Sequence, residues 1–169
     1  VIGIIYASII AIRQDDMKRL IAYSSIAHVG LMAATLFAET KLGYQGVLIQ
    51  MFSHGINIIG LWIVVELIER QMGTRKLSEL GGLAQKAPVL AIMLVIVALA
   101  NVALPLTNAF IGEFLMFAGI FTSVASKFHY IFAVVGAISI ILSAVYTLNM
   151  IQKVFYGNTN ALTANARDI

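Results

Sequence analysis

The sequence predicts an all-α fold, a polytopic bundle of transmembrane helices in which one helix is discontinuous. Of the 169 residues, 60% are hydrophobic and only 11% are charged, and the mean hydropathy is +0.94. An ordinary soluble domain has about a quarter charged residues. The apolar residues form runs comparable to the roughly 20 residues that cross a bilayer. One run is too long for a single crossing and contains a proline, which predicts the discontinuity.

Polar or charged connections separate five apolar runs. The first run is expected to be the end of a span whose start is missing, so the chain is expected to be an internal piece of a longer polypeptide. The first 157 residues are predicted to form one transmembrane unit, followed by a cytoplasmic polar tail. The predicted spans are residues 1–12, 20–38, 44–68, 88–122 and 130–155, and the tail is residues 158–169.

Lysine and arginine residues are distributed unevenly along the chain. The loops around 13–19 and 69–87, together with the C-terminal end, contain nine of the eleven, whereas the opposite side has only Lys41 and Lys127. The positive-inside rule assigns the richer side to the cytoplasm. Basic residues that flank apolar runs are typical of lipid anchors, so nucleic acid is not expected as a partner. The absence of cysteine excludes a disulfide or a thiolate metal site within the sequence.

The stretch LPLTNAFIGEFLMF, residues 104–117, lies within the longest run. As one helix, residues 88–122 would extend about 52 Å, against a hydrocarbon core of roughly 30 Å. Pro105 removes a backbone donor, which predicts a break near 105–108, and Asn108 is able to satisfy freed backbone groups. Irregular backbone at membrane depth must be buried in protein or line a wet cavity. Glu113, one or two turns beyond the break, is therefore expected to be hydrated and to titrate.

Two of the predicted spans each have a histidine near mid-depth, with hydroxyl or amide side chains three or four residues away on the same helical face. Imidazole titrates near neutral pH, and ionisable residues inside membranes often mark proton pathways. The predicted proton-translocation residues are Glu113, His28, His54 and Lys18. The predicted supporting polar residues are Ser24, Ser25, Gln50, Asn57, Asn108 and Tyr146.

Each of these residues also has a structural interpretation. Glu113 could make a neutral hydrogen bond to a neighbouring span, and a lone histidine is often a packing residue. Ser139, Ser143 and Tyr146 share a face that favours helix packing, and Lys18 could be an anchor at the cytoplasmic end of its span. The sequence contains no His-x-x-x-His or Glu-x-x-His spacing, so no metal site is expected.

Three stretches, DDMKRLIAYSSIAHVGLM, YQGVLIQMFSHGINIIGLW and LPLTNAFIGEFLMF, closely resemble the antiporter-like family of membrane subunits. This family includes large subunits of NADH:quinone oxidoreductase, the respiratory complex I, and of multi-subunit sodium/proton antiporters. The resemblance extends from Val1 to about Gly157. The sister and antiporter subunits usually have a lysine where this chain has Glu113, so the glutamate favours the subunit M branch, equivalent to mitochondrial subunit 4.

The resemblance implies a subunit of fourteen spans with two inverted five-helix repeats, each containing one broken helix, and this chain resembles most of the second repeat. It implies that Glu113 is the carboxylate of the broken helix on the exit side, and that His28 and His54 lie on a hydrated polar axis. Lys18 matches the lysine of a DxKR motif at the cytoplasmic end. The remaining path residues of the family are expected upstream of Val1, so this piece is not expected to pump alone.

The function that the resemblance implies is proton translocation across the bacterial inner membrane, coupled to electron transfer from NADH to quinone in other subunits. No cofactor is expected in this chain, whereas NAD, FMN, iron–sulfur clusters and quinone are expected in partner subunits. The expected partners are the antiporter-like sister subunits, a lateral helix of a neighbour and lipid. Two alternatives stay open: a subunit of a sodium/proton antiporter or a membrane-bound hydrogenase, and a scaffold whose polar residues only fix helix register.

Overall fold

The computed structural model describes residues 1–168. Ile169, the last residue of the predicted tail, lies outside the described residues. The α-helices of the described part are α1 (Ile2–Arg13), α2 (Met17–Leu36), α3 (Lys41–Met72), α4 (Pro88–Asn101), α5 (Asn108–Phe121) and α6 (His129–Phe155). Short 3₁₀ turns occur at Leu77–Glu79, Leu83–Gln85 and Thr163–Asn165.

Helices α2, α3 and α6 are long and apolar enough to cross a membrane, whereas α4 and α5 have only 14 residues each. These two short helices occupy the predicted run 88–122. The fold is therefore a multi-pass transmembrane helix bundle with one discontinuous helix, which confirms the predicted class. Helix α3 extends beyond the predicted 44–68 because Thr40 caps its start with a hydrogen bond from the Gly43 amide, and Gly73 ends it in the left-handed region at φ 69°.

The break between α4 and α5 occupies residues 102–107, so it begins before Pro105. Ala103 adopts a left-handed φ of 58°, and the Leu104 amide donates to the Leu99 carbonyl at 3.2 Å. This 6→1 bond is the Schellman motif, which normally uses glycine at the position of Ala103. Helix α4 thus ends through its own cap, and the proline that follows prevents the helix from resuming.

The apolar core forms two clusters at opposite ends of the bundle. The first cluster joins the start of α2, the second half of α3, α4 and the end of α6; its buried members include Met17, Ile21, Val65, Leu90, Leu94 and Val154. The opposite cluster joins the first turn of α1, the end of α2, the start of α3 and the end of α5; its buried members include Ile4, Leu31, Val47, Met116 and Ile120. Along α2 and α3, the buried polar residues within 24–28 and 50–57 lie between the two clusters.

Candidate functional site: a buried polar layer at mid-depth

Helices α2, α3, α4, α5 and α6 all contribute to a layer of buried polar side chains. Each member is less than 8% exposed, although buried polar groups in a membrane protein are costly unless they are paired. The members are Ser24, His28, Gln50, Ser53, His54, Asn57, Asn101, Glu113, Ser139 and Ser143. The layer therefore brings together residues that are up to 119 positions apart in the sequence.

Glu113 is 5% exposed and faces the layer from α5. Its Oε1 atom lies 3.7 Å from His28 Nε2 and 3.4 Å from the Gln50 amide nitrogen. Both separations are longer than a strong hydrogen bond, which for N–H···O is about 2.9 Å. One group on α2 and one on α3 therefore approach the same carboxyl oxygen without forming a strong hydrogen bond to it. A small movement would change which of the two is hydrogen-bonded to Glu113.

The tautomer of His28 follows from its contact with its own helix. His28 Nδ1 lies 2.8 Å from the Ser24 carbonyl oxygen, which can only accept a hydrogen bond, so Nδ1 carries the proton. In the neutral ring, Nε2 is then a free acceptor, and this is the nitrogen that faces Glu113. The pair can hold one proton in two ways, on the Glu113 carboxyl group or on His28 Nε2.

His54 extends the layer on the side of α3. Its ring stacks on that of His28, with centroids 4.9 Å apart and an interplanar angle of 24°. His54 Nε2 lies 2.9 Å from Ser25 Oγ, which joins α3 to α2. Two imidazolium rings at this separation would repel each other, so the stacked pair accommodates one positive charge more readily than two.

Helix α6 approaches the layer through hydroxyl groups. Tyr146 is 1% exposed, and its hydroxyl group lies 2.8 Å from Ser24 Oγ, which also accepts a hydrogen bond from Asn101 at 3.4 Å. A cavity of about 10 Å³, close to the volume that admits one water molecule, lies beside Glu113. Its lining includes Ala27, His28, Glu113, Ser139, Ser143 and Tyr146.

The helix break is held by α3. Asn57 donates to the Ala100 carbonyl at 3.0 Å and accepts from the Asn108 side chain at 3.1 Å. Ser53 donates to the Asn108 carbonyl at 3.1 Å. These contacts satisfy backbone and amide groups at both helix ends that meet at the break. We refer to Ser53, Asn57 and Asn108 as the break clamp.

Lys18 lies away from this layer. Its ammonium group contacts Glu66 at 2.8 Å and Glu69 at 2.5 Å, and it is 5.5 Å from the centre of the Trp62 ring. Seven residues of helix, about 10 Å, separate Lys18 from Ser25. These contacts favour the anchoring interpretation of Lys18, and the predicted proton delivery by Lys18 stays a prediction.

The structure brings most of the predicted site residues together. Glu113, His28 and His54 form the centre, and the predicted supporting residues surround them or hold the break. Pro105 lies at the surface of the bundle, beyond the end of α4. Sequence analysis assigned Ser139 and Ser143 to helix packing and missed two other members of the layer, Ser53 and Asn101. Both had a signal, because Ser53 is adjacent to His54 and Asn101 is an isolated amide in an apolar run four residues before Pro105.

Comparison with known proteins identifies the family. The family profile described as NADH:quinone oxidoreductase/Mrp antiporter, transmembrane, matches residues 1–139. The chain belongs to this NADH:quinone oxidoreductase/Mrp antiporter family. The matched region includes the break, the two histidines and Glu113, so the polar layer described above lies almost entirely within the family's shared sequence.

Individual members of the family that resemble this chain are subunits of the oxidoreductase. The chain is 41% identical over 170 aligned positions to NADH-quinone oxidoreductase subunit M of Rickettsia prowazekii, and the match covers 100% of this chain and 34% of that protein. It is 40% identical over 156 positions to the subunit M of Rhodobacter capsulatus, covering 92% and 30%. These matches confirm the predicted resemblance to subunit M.

A solved structure has the same fold. A chain of respiratory complex I from Thermus thermophilus with bound NADH superposes with a TM-score of 0.91 at 30% identity, covering 99% of this chain and 34% of that chain. The present chain thus spans about a third of the length of the relatives it matches. The similarity favours an oxidoreductase subunit over the antiporter alternative.

Proposed function

We propose that this chain is part of a proton-translocating membrane subunit of a bacterial NADH:quinone oxidoreductase. In this proposal it lies in the inner membrane with the loops around 13–19 and 69–87 and the C-terminal tail on the cytoplasmic side. The redox cofactors, NAD, FMN, iron–sulfur clusters and quinone, belong to partner subunits. The proposal is supported by the family and by the relatives, all of which are longer than this chain.

The observation that carries the proposal is the facing pair of Glu113 Oε1 and His28 Nε2, 3.7 Å apart inside the buried layer. A proton on Glu113 would pass to Nε2 once the two atoms approach to about 2.6–3.2 Å. His28 then becomes an imidazolium ion, and its stacked neighbour His54 must stay neutral. Protonation of His28 therefore disfavours protonation of His54, and a proton relay requires such coupling between neighbouring sites.

The cavity beside Glu113 has room for a second partner that exchanges protons with the carboxyl group, a water molecule. A water molecule there would lie within the lining formed by Glu113 and the α6 hydroxyl groups of Ser139, Ser143 and Tyr146. Glu113 would then contact both His28 and a water molecule in a hydroxyl-lined pocket that His28 also lines. This arrangement allows the carboxyl group to receive a proton from one of these two neighbours and release it to the other.

The exposed part of the break supports the proposed partners. Leu106 is fully exposed, and Pro105 also lies at the surface of the described bundle. Irregular backbone does not face lipid within the hydrocarbon region. We therefore propose that other protein covers this face, namely the rest of the subunit, an antiporter-like sister subunit or a lateral helix of a neighbour.

The test replaces Glu113 with Gln in the full-length subunit within the assembled complex. Proton pumping into vesicles is measured together with NADH oxidation. We expect proton pumping per NADH to fall, because glutamine cannot exchange a proton. Glu39→Gln, at an exposed carboxylate in the loop between α2 and α3, is the matched control and should pump normally. Normal pumping by an assembled Glu113→Gln complex would remove Glu113 from the mechanism.

A further inference from the structure

Asn57 lies on α3 at a point from which one side chain reaches both halves of the broken helix. Its amide nitrogen binds the Ala100 carbonyl in the last turn of α4, and its amide oxygen binds Asn108 at the first residue of α5. A carboxamide is suited to this position because it has both donors and an acceptor at the end of a short side chain. Asn57 is 4% exposed, so water does not compete for these bonds.

The same face of α3 also contacts the groups that titrate. Gln50, His54 and Asn57 have the spacing i, i+4, i+7, which places them on one side of the helix. Gln50 reaches Glu113, and His54 stacks on His28. A movement of α5 relative to α3 would therefore change the position of Glu113 relative to these partners.

The separation of Glu113 from His28 makes such a movement consequential. At 3.7 Å the two atoms are about half an ångström beyond hydrogen-bond distance. A shift of α5 by less than 1 Å would thus decide whether a proton can pass. The hydrogen bonds of the break clamp hold α5 against α3 close to Glu113, because Asn108 and Glu113 are only five residues apart on one rigid helix.

We propose that Asn57 is a positioning residue that sets the distance between Glu113 and His28 by tying both halves of the broken helix to α3. The proposal rests on the proton relay proposed above. Asn57 does not itself exchange a proton. Its oxygen fixes α5, which carries Glu113, and its nitrogen fixes α4, which carries Asn101.

The contact of Asn57 with α5 can be broken alone, or together with its contact with α4, in the full-length subunit within the complex. Asn57→Leu has a similar shape and removes both contacts, whereas Asn108→Ala keeps the one to α4 and removes the one to α5, along with a 3.4 Å hydrogen bond from Asn108 to the Ser53 carbonyl. Asn149→Leu, at a partly buried amide on α6, is the matched control. Spin labels at exposed positions report the distances from α3 to α4 and α5; Ile59, Ile96 and Ile111 suit this purpose. This sequence contains no cysteine, so cysteines introduced for labelling are unique once any others in the protein are replaced.

We expect Asn57→Leu to broaden both distance distributions and Asn108→Ala to broaden only that from α3 to α5. The infrared band of the Glu113 carboxyl group, assigned by its loss in Glu113→Gln, should shift in both variants and stay in place in Asn149→Leu. Proton pumping per NADH should fall severalfold in both. A general loss of stability would not move the band of one carboxyl group selectively.

Unchanged distances with an unmoved carboxyl band in Asn57→Leu would overturn the positioning role. Asn108 is exposed, so Asn108→Ala carries the same test if the leucine variant does not assemble. Failure of the relay itself gives a different result. In that case Glu113→Gln pumps normally, while the label distances still show whether Asn57 holds the broken helix.

Discussion

Glu113 Oε1 faces His28 Nε2 across 3.7 Å, and Gln50 approaches the same oxygen from α3 at 3.4 Å. The carboxyl group thus lies just outside hydrogen-bond distance of a histidine whose other nitrogen is fixed on the Ser24 carbonyl. This geometry makes the length of the side chain at position 113 as important as its acidity.

Glu113→Asp tests the length. Shortening the side chain withdraws the carboxyl group by about 1.5 Å, so proton exchange with His28 needs a larger movement of α5. We expect pumping to fall about tenfold, corresponding to about 1.4 kcal/mol, and to remain above that of Glu113→Gln. The measurement is the initial rate of vesicle acidification at equal NADH oxidation. Equal rates for Glu113→Asp and Glu113→Gln would show that only the original geometry works.

Close contact between α3 and α5 is the basis of a second prediction. A Cβ atom at Gly119 would lie 2.5 Å from Gly43 Cα. Since this is a backbone atom, the clash can be relieved only by moving one helix away from the other. We expect Gly119→Ala to destabilise the protein by about 1–3 kcal/mol. Thermal unfolding of the purified complex in detergent measures this change. Gly55→Ala is the control, since a Cβ there meets nothing within 4 Å, and similar melting temperatures for both variants would contradict the packing argument.

The positions of the helices could be predicted from the sequence because apolar runs and the charged residues that end them are local features. Pro105 predicts the break, but the break starts at Val102 because of a Schellman cap at Ala103. Alanine rarely adopts the left-handed conformation seen at Ala103, so the sequence does not indicate this cap. The meeting of His28 and Glu113 depends on how α2 packs against α5, 85 residues further along the chain. Helical periodicity places a residue on a face but does not select the opposing helix.

The ion pairs between α2 and α3 show the same limit of sequence-based prediction. Lys18 was predicted from its local motif, yet its partners Glu66 and Glu69 lie about fifty residues away. No sequence pattern assigns a role to those two carboxylates. Local charge patterns predict which side of the membrane a loop faces, whereas the choice of ion-pair partner is made by tertiary packing.

A pH-dependent hydrogen bond in the loop between α3 and α4 provides a third prediction. The hydrogen bond from Lys76 and, secondarily, that from Thr74 lower the pKa of Glu79 below its ordinary value. Because its folded pKa is lowered, Glu79 stabilises the folded loop at pH values above its ordinary pKa of 4.5, and this contribution is lost as the pH falls through the folded pKa. We expect amide exchange of residues 74–79, corrected for intrinsic rates, to rise on acidification. Glu79→Gln should reduce this pH dependence, and an unchanged profile would contradict it.

The C-terminal tail caps the first half of the broken helix, which leads to a fourth prediction. Asp168 accepts hydrogen bonds from the Val89 and Leu90 amides at 3.0 and 3.2 Å, the second and third positions of α4. Pro88 has no amide hydrogen, and Ala87 makes no side-chain cap, so a distant carboxylate satisfies donors that α4 itself leaves open. We expect Asp168→Ala to destabilise α4 by about 0.5–2 kcal/mol and to speed amide exchange in its first turn. Asp168→Asn retains an accepting oxygen and should exchange at nearly the normal rate, so faster exchange in both variants would assign the effect to charge rather than to capping.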